Sequence, residues 1–163
     1  MLHGEVDVVG RTLMVLALIS LVACDAGMSV RQINSFVESE NAGVTAIPKL
    51  SVDVKTAHQL IGERWYSPQI MGTNSSDIPV RITSVELVAG GASFQNRPRV
   101  AKDYPVTLPA NSAAPLNVDF RFSNGLDVDK VFRKPAELRI HYSSEQGAGL
   151  AHITLARGHP NAK

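Results

Sequence analysis

Leu116, Val118, Phe120 and Phe122 alternate strictly with Asn117, Asp119 and Arg121. A helix would scatter these four apolar side chains around its circumference, whereas an extended chain points every second side chain the same way. The segment can bury one face and wet the other only as a β-strand. The same period of two recurs from residue 47 onward. Leu50, Val52 and Val54 alternate with Ser51, Asp53 and Lys55, and Leu138, Ile140 and Tyr142 share one face of a segment over 136–143. Residues 65–73 predict a further strand, with Pro68 confining it to an edge or a bulge. Val80 and Ile82 hold one parity and Val85 and Leu87 the other, so a bulge is expected near Thr83 and Ser84. Weaker strands are expected over 94–100 and 104–108, and a last one over 149–156. Asn74-Ser75-Ser76-Asp77, Gly90-Gly91 and the stretch 109–112 read as turns. In the polar loop 123–135, Val128, Val131 and Phe132 can still pack inward. Seven or eight short strands separated by turns predict an all-β, antiparallel β-sandwich.

The chain can build such a core. It has 163 residues, 44% hydrophobic and 19% charged, which suits one globular domain. Lys and Arg number 16 against 15 Asp and Glu, a formal charge of +1. That balance lacks the basic footprint of a nucleic-acid binder and the charge of a polybasic membrane arm. A single cysteine excludes an internal disulfide framework and any multi-cysteine zinc site.

Residues 13–23 form an apolar run interrupted only by Ser20. As a helix it would reach about half of a ~30 Å hydrocarbon core, too short to span. With Arg11 on its flank, it reads as the apolar region of a secretory signal peptide. The run ends in Leu21-Val22-Ala23-Cys24, which resembles the lipobox of bacterial lipoproteins. That resemblance implies a diacylglyceryl group on the Cys24 thiol, cleavage just before it and acylation of the new amino terminus. A thiol forms a nucleophilic thiolate at modest pH, which a serine hydroxyl does not. Each buried methylene adds about 0.8 kcal/mol, so two or three acyl chains anchor stably. Asp25 resembles the inner-membrane retention signal of enterobacterial lipoproteins. It implies a lipid-anchored protein of the bacterial envelope, on the periplasmic face of the inner membrane.

The expected organisation is a signal peptide over 1–23, a lipidated Cys24 with a tether or short helix over 24–46, a sandwich over 47–157 and a tail over 158–163. Val30, Ile33 and Val37 recur at helical spacing with Phe36 alongside, predicting a helix over about 28–39; a polar tether fits the same residues. The segments NSSDIPVRITSVEL, LPANSAAPLNVDFRF and PAELRIHYSSEQGAGLAHITLA resemble immunoglobulin-like domains of bacterial envelope proteins in strand rhythm and turn placement. The Cys…Trp…Cys spacing of antibody domains is absent.

The last hairpin carries the sharpest chemical expectation. A four-residue loop over 145–148 would pair Ser144 with Gly149, Ile140 with Ile153 and Leu138 with Leu155, apolar against apolar. On the other face Arg139 would oppose Thr154 and His141 would oppose His152. Directly opposed residues have Cβ atoms about 4.5–5.5 Å apart, within reach of one metal ion, and imidazole suits zinc, copper or nickel. Glu137 shares that face, while His58 and His159 are distant in sequence. Ser75, Ser76, Ser143 and Ser144 stand in no GxSxG, and the chain has no P-loop, GxGxxG or HExxH. Asp127 and Asp129 lack the spacing of a calcium loop and are expected in a solvated acidic loop. Arg97, Arg99 and Lys102 around Pro98 are expected in a solvated basic loop. Trp65 and Tyr66 are expected in the core.

These readings point to a non-enzymatic envelope lipoprotein. Its sandwich would bind a partner protein, with strand addition at an exposed edge as the mechanism. It needs no cofactor beyond the covalent lipid on Cys24 and no nucleic acid. The alternative is a periplasmic metal-binding lipoprotein using His141 and His152.

Overall fold

The computed structural model describes residues 28–40, 48–97, 104–123 and 125–158, with the side chains of 56–59 excepted. The expected signal peptide, Cys24, Asp25, Arg99, Lys102, His159 and the imidazole of His58 lie outside the described residues. Among those described, no helix is long and apolar enough to cross a membrane.

The chain forms β1 (Ser29–Ser39), β2 (Leu50–Gly62), β3 (Trp65–Asn74), β4 (Val80–Ala89), β5 (Ala92–Gln95), β6 (Val106–Leu108), β7 (Ser112–Asn117) and β8 (Phe120–Arg121). A one-turn helix α1 (Val128–Val131), β9 (Ala136–Ser144) and β10 (Gly147–Gly158) follow. The larger sheet runs β1-β10-β9-β4-β5, with β6 also on β4; the smaller runs β2-β3-β7, with β8 also on β3. Every pairing is antiparallel. The chain leaves the smaller sheet after β3 and again after β8, and both times enters the larger one, where β4 and β9 lie side by side. This double crossing makes the molecule an immunoglobulin-like β-sandwich.

The alternation seen in the sequence becomes the core. Leu116, Val118, Phe120 and Phe122 all point inward and are buried, as are Leu138, Ile140 and Tyr142 from the facing sheet. The run 116–122 is nonetheless two strands. At Asp119 the N–H donates to Asn96 Oδ1 (2.7 Å) and the carbonyl accepts from the Arg97 N–H (2.9 Å), so the backbone turns from β3 toward the end of β5. The buried Asp119 carboxylate accepts from Ser67 Oγ (2.7 Å) and Arg121 Nη2 (2.7 Å). Pro68 fits for a related reason. β7 pairs with β3 at residues 69–74 and β8 at 65–66, so the missing Pro68 N–H falls in the gap between them. The expected bulge in β4 lies between Ile82 and Ser84. Gly90 and Gly91, at φ +59° and +82°, make the tight turn into β5. Val128, Val131 and Phe132 pack inward, with Phe132 edge-on to Tyr66 at 5.0 Å.

Residues 29–39 correct the expectation of a helix or tether. They form β1 along β10, and the sandwich begins near residue 28 rather than 47. An isolated helix of that length is marginal in water, whereas the edge of β10 offers a full row of backbone partners. Val30 is wholly buried, but Ile33, Phe36 and Val37 are exposed, so the helical spacing of these residues served no helical face. With β1 counted and the 116–122 run divided, the strands number ten among the described residues rather than seven or eight.

One buried amide joins the two sheets. Asn74 closes β3 and is fully enclosed. Its Nδ2 donates to the carbonyls of Ile78 (2.8 Å), Pro109 (2.9 Å) and Leu108 (3.2 Å), the last of which ends β6 in the larger sheet. Its Oδ1 accepts from the Ser76 N–H (3.1 Å) and Oγ (2.6 Å). Asn74→Ala removes this buried donor and acceptor together, leaving the Ile78 and Pro109 carbonyls only the hydroxyls of Ser76 and Ser112, and should lower stability by about 3 kcal/mol. The readout is a lower urea midpoint at unchanged m-value; a loss below about 1 kcal/mol would show that water replaces the amide.

Candidate functional site

The outer face of the larger sheet gathers Glu137, Arg139, His141 and His152 of the last hairpin, but in a different alignment. Glu145 and Gln146 alone form the β9–β10 turn, so Ser144 pairs with Gly147. Gly147 takes φ +141°, and Ser144 Oγ accepts the Gln146 N–H (3.1 Å), which closes the tighter loop. Leu138 then pairs with Ile153 and Ile140 with Ala151. A shift of two residues preserves parity, so the apolar pattern accepts either loop, and the turn decides between them.

The shift separates the two histidines. His141 lies opposite Leu150 and His152 opposite Arg139, so they are diagonal rather than facing neighbours. The expected cross-strand pair does not form. Among the described residues no group of three or more His, Cys, Asp or Glu side chains is arranged to hold a metal ion. Each imidazole instead bridges carboxylates from two strands. His152 Nε2 lies 2.8 Å from Glu38 on β1, and its Nδ1 contacts Glu137 on β9. His141 Nδ1 lies 2.5 Å from Glu40, just past the end of β1, and its Nε2 lies 3.4 Å from Glu86 on β4. Arg139 joins the two bridges, with Nη2 3.1 Å from Glu137 and Nη1 3.6 Å from Glu86. Ser93 Oγ (2.6 Å) and Gln95 Nε2 (3.0 Å) on β5 donate to Glu86 Oε2. The network thus crosses the sheet from β1 to β5. Both nitrogens of each ring face acceptors, and both can donate only when the ring is protonated.

Phe36 covers one end of this row. Its ring stacks on His152 at 4.5 Å and 5° between planes, and leaves His152 only 7% exposed. A shallow depression beside it is lined by Phe36, Val88, Pro135, Glu137 and Thr154. Phe36, Glu38, Glu40, Glu86 and Arg139 were not anticipated as members of a site. The readable signal was positional: 36, 38 and 40 alternate as strand residues on one face do, as do 137, 139 and 141.

The remaining candidates have local structural partners. Asp127 caps α1, accepting the Lys130 N–H at 2.8 Å, and Asp129 pairs with Arg157 at 3.2 Å. Tyr66 is fully buried, as expected; Trp65 is only half-buried, with the Arg121 guanidinium 5.6 Å over its ring. Ser76 bonds Asn74, Ser144 bonds the hairpin turn, and Ser75 and Ser143 lie on strand or turn backbone. Arg97 ends its described segment with its N–H on Asp119.

No protein-family model and no curated protein matches the chain. Two solved structures are similar to it over most of its length. The X-ray structure of Northeast Structural Genomics Consortium target SoR45 is 14% identical with a TM-score of 0.39, over 79% of this chain and 89% of that one. The crystal structure of chicken MD-1 complexed with lipid IVa is 9% identical with a TM-score of 0.32, over 80% of this chain and 99% of that one.

The network predicts an acid-sensitive sandwich. Burial pushes Glu137 up, but the hydrogen bonds from Arg139 and His152 and their charges outweigh it and hold the carboxyl below its ordinary 4.5. Burial likewise pushes Glu86 up, and Ser93, His141 and Arg139 together bring it below 4.5. Arg139 is raised, chiefly by its bond to Glu137. Both carboxyls hold their protons less tightly folded than unfolded, so the unfolded chain takes up more protons in acid. Stability should be full above the unfolded glutamate value and fall as pH drops through it and below. The urea midpoint should decline from about pH 5 to about pH 3, and Glu137→Gln should flatten that decline. An identical decline in the variant would remove Glu137 as a contributor.

Proposed function

We propose that the chain is a lipid-anchored envelope protein whose sandwich is a non-enzymatic binding module, with the edge of β1 as its contact strand. The carrying observation is the exposure of this edge. Every residue from Ile33 to Glu40 is exposed, including Ile33, Phe36 and Val37. Among the described residues β10 is the one strand paired with β1. An edge strand with exposed backbone and apolar side chains accepts an added strand through main-chain hydrogen bonds.

The lipobox resemblance supports the anchor, and the fold shortens the distance to it. Four residues, 25–28, separate Cys24 from the first residue of β1. Fully extended they reach about 14 Å, so lipid on Cys24 holds the β1 edge close to the bilayer surface. Asp25 would retain it on the periplasmic face of the inner membrane.

The test has two arms. Radioactive palmitate should label the wild type but not Cys24→Ser. A photo-crosslinking amino acid at Ser35 should give a discrete protein adduct in intact envelopes, while one at the exposed Asp53 of β2 should not. Failure to label removes the anchor; equal adducts at both positions, or none at Ser35, remove the β1 edge as the contact.

A further inference from the structure

The outer row of β1 is complementary to itself. Arg31 lies beside Ala156 of β10, Asn34 beside Thr154, Phe36 beside His152 and Glu38 beside Leu150, and the Glu40 N–H reaches the Ala148 carbonyl. These partners are every second residue of β10, so the five side chains stand evenly in one row on the outer face. Arg31 belongs to the row because the register shifts between Gln32 and Asn34. Without the extra residue there, Arg31 would fall on the opposite face. The row therefore reads Arg, Asn, Phe, Glu, Glu.

Turned end for end about Phe36, the same row meets itself well. Phe36 faces the other copy's Phe36, Glu38 faces its Asn34, and Glu40 faces its Arg31. Each polar contact occurs twice, and no like charges oppose. Moving the axis one residue either way sets a phenyl ring against Glu38 or Asn34. Parallel addition in register would set Arg31 on Arg31 and Glu38 on Glu38, which is unfavourable. We infer that the strand taken up by β1 is β1 of a second copy, added antiparallel with a two-fold axis at Phe36, so that the two larger sheets continue as one. This rests on β1 being the binding edge. Such an edge contact is small, and confinement on one membrane surface raises the effective concentration that drives it.

Cysteine trapping and charge exchange test it on the full chain. Phe36→Cys, oxidised in envelopes, should give a disulfide-linked dimer, and neither the wild type nor Asp53→Cys should do so. In mild detergent, Arg31→Glu and Glu40→Arg should each raise the dimer dissociation constant about five- to tenfold. The double exchange should restore it to within about twofold, a rescue that loss of the Glu40–His141 contact alone would not produce. Absence of the Phe36 link, or a dimer indifferent to both single changes, overturns the inference. A Ser35 photo-adduct of a different size without the Phe36 link identifies another partner and leaves β1 as the binding edge; loss of both the adduct and the link removes both readings.

Discussion

Ser144 pairs with Gly147 across a turn of two residues, and the rest of the larger sheet takes its alignment from that pairing. β9 hands the register to β4 and β10 hands it to β1. One bulge in each of β1 and β4 then reconciles local sequence with the shared core. The bulge between Ile82 and Ser84 lets Val80 and Ile82 face inward together with Val85 and Leu87. The one between Gln32 and Asn34 keeps Val30 in the core while Phe36 lies over His152. A side-chain period of two allows no other remedy, since a slip of one residue would reverse every face.

Stability and organisation come from different parts of the molecule. The core of Tyr66, Phe120, Phe132, Ile70, Leu138 and their neighbours removes apolar surface from water at about 25 cal/mol per Å². The outer network adds less, because partly exposed ion pairs are typically worth no more than about 1 kcal/mol each. Its effect is alignment. Glu38 and Glu40 are drawn onto His152 and His141, which holds the exposed half of β1 flat against the sheet. Asn74 and Asp119 play the corresponding part inside, where each buried polar group is met by several partners.

Edges of natural sheets are usually blunted by charges and bulges. β1 has both, in Glu38, Glu40 and the register shift at Ile33, yet it also displays three large apolar side chains. That combination discourages an arbitrary strand and favours one whose charges match, which is how specificity is built from repulsion as well as attraction. Gln32 closes the other half of the same strand, accepting the Val54 N–H of β2 at 2.9 Å. The exposed length is therefore short and defined.

The apolar alternation determined much of this fold without any structure. Leu116 to Phe122, Leu138 to Tyr142 and Leu50 to Val54 had to be half-buried strands, and the parity break at Thr83 had to be a bulge, because the pleat leaves no freedom in which face a residue takes. Three features were decided only by tertiary structure. Residues 29–39 became a strand because β10 offered them an edge, which no local spacing reveals. The 116–122 run divided at Asp119 because Asn96 and Arg97, just past the end of β5, capture its backbone. The offset of His141 from His152 followed from a two-residue turn that the apolar pattern could not distinguish from a four-residue one. Burial periodicity is written along the chain; partners across it are chosen by the whole core at once.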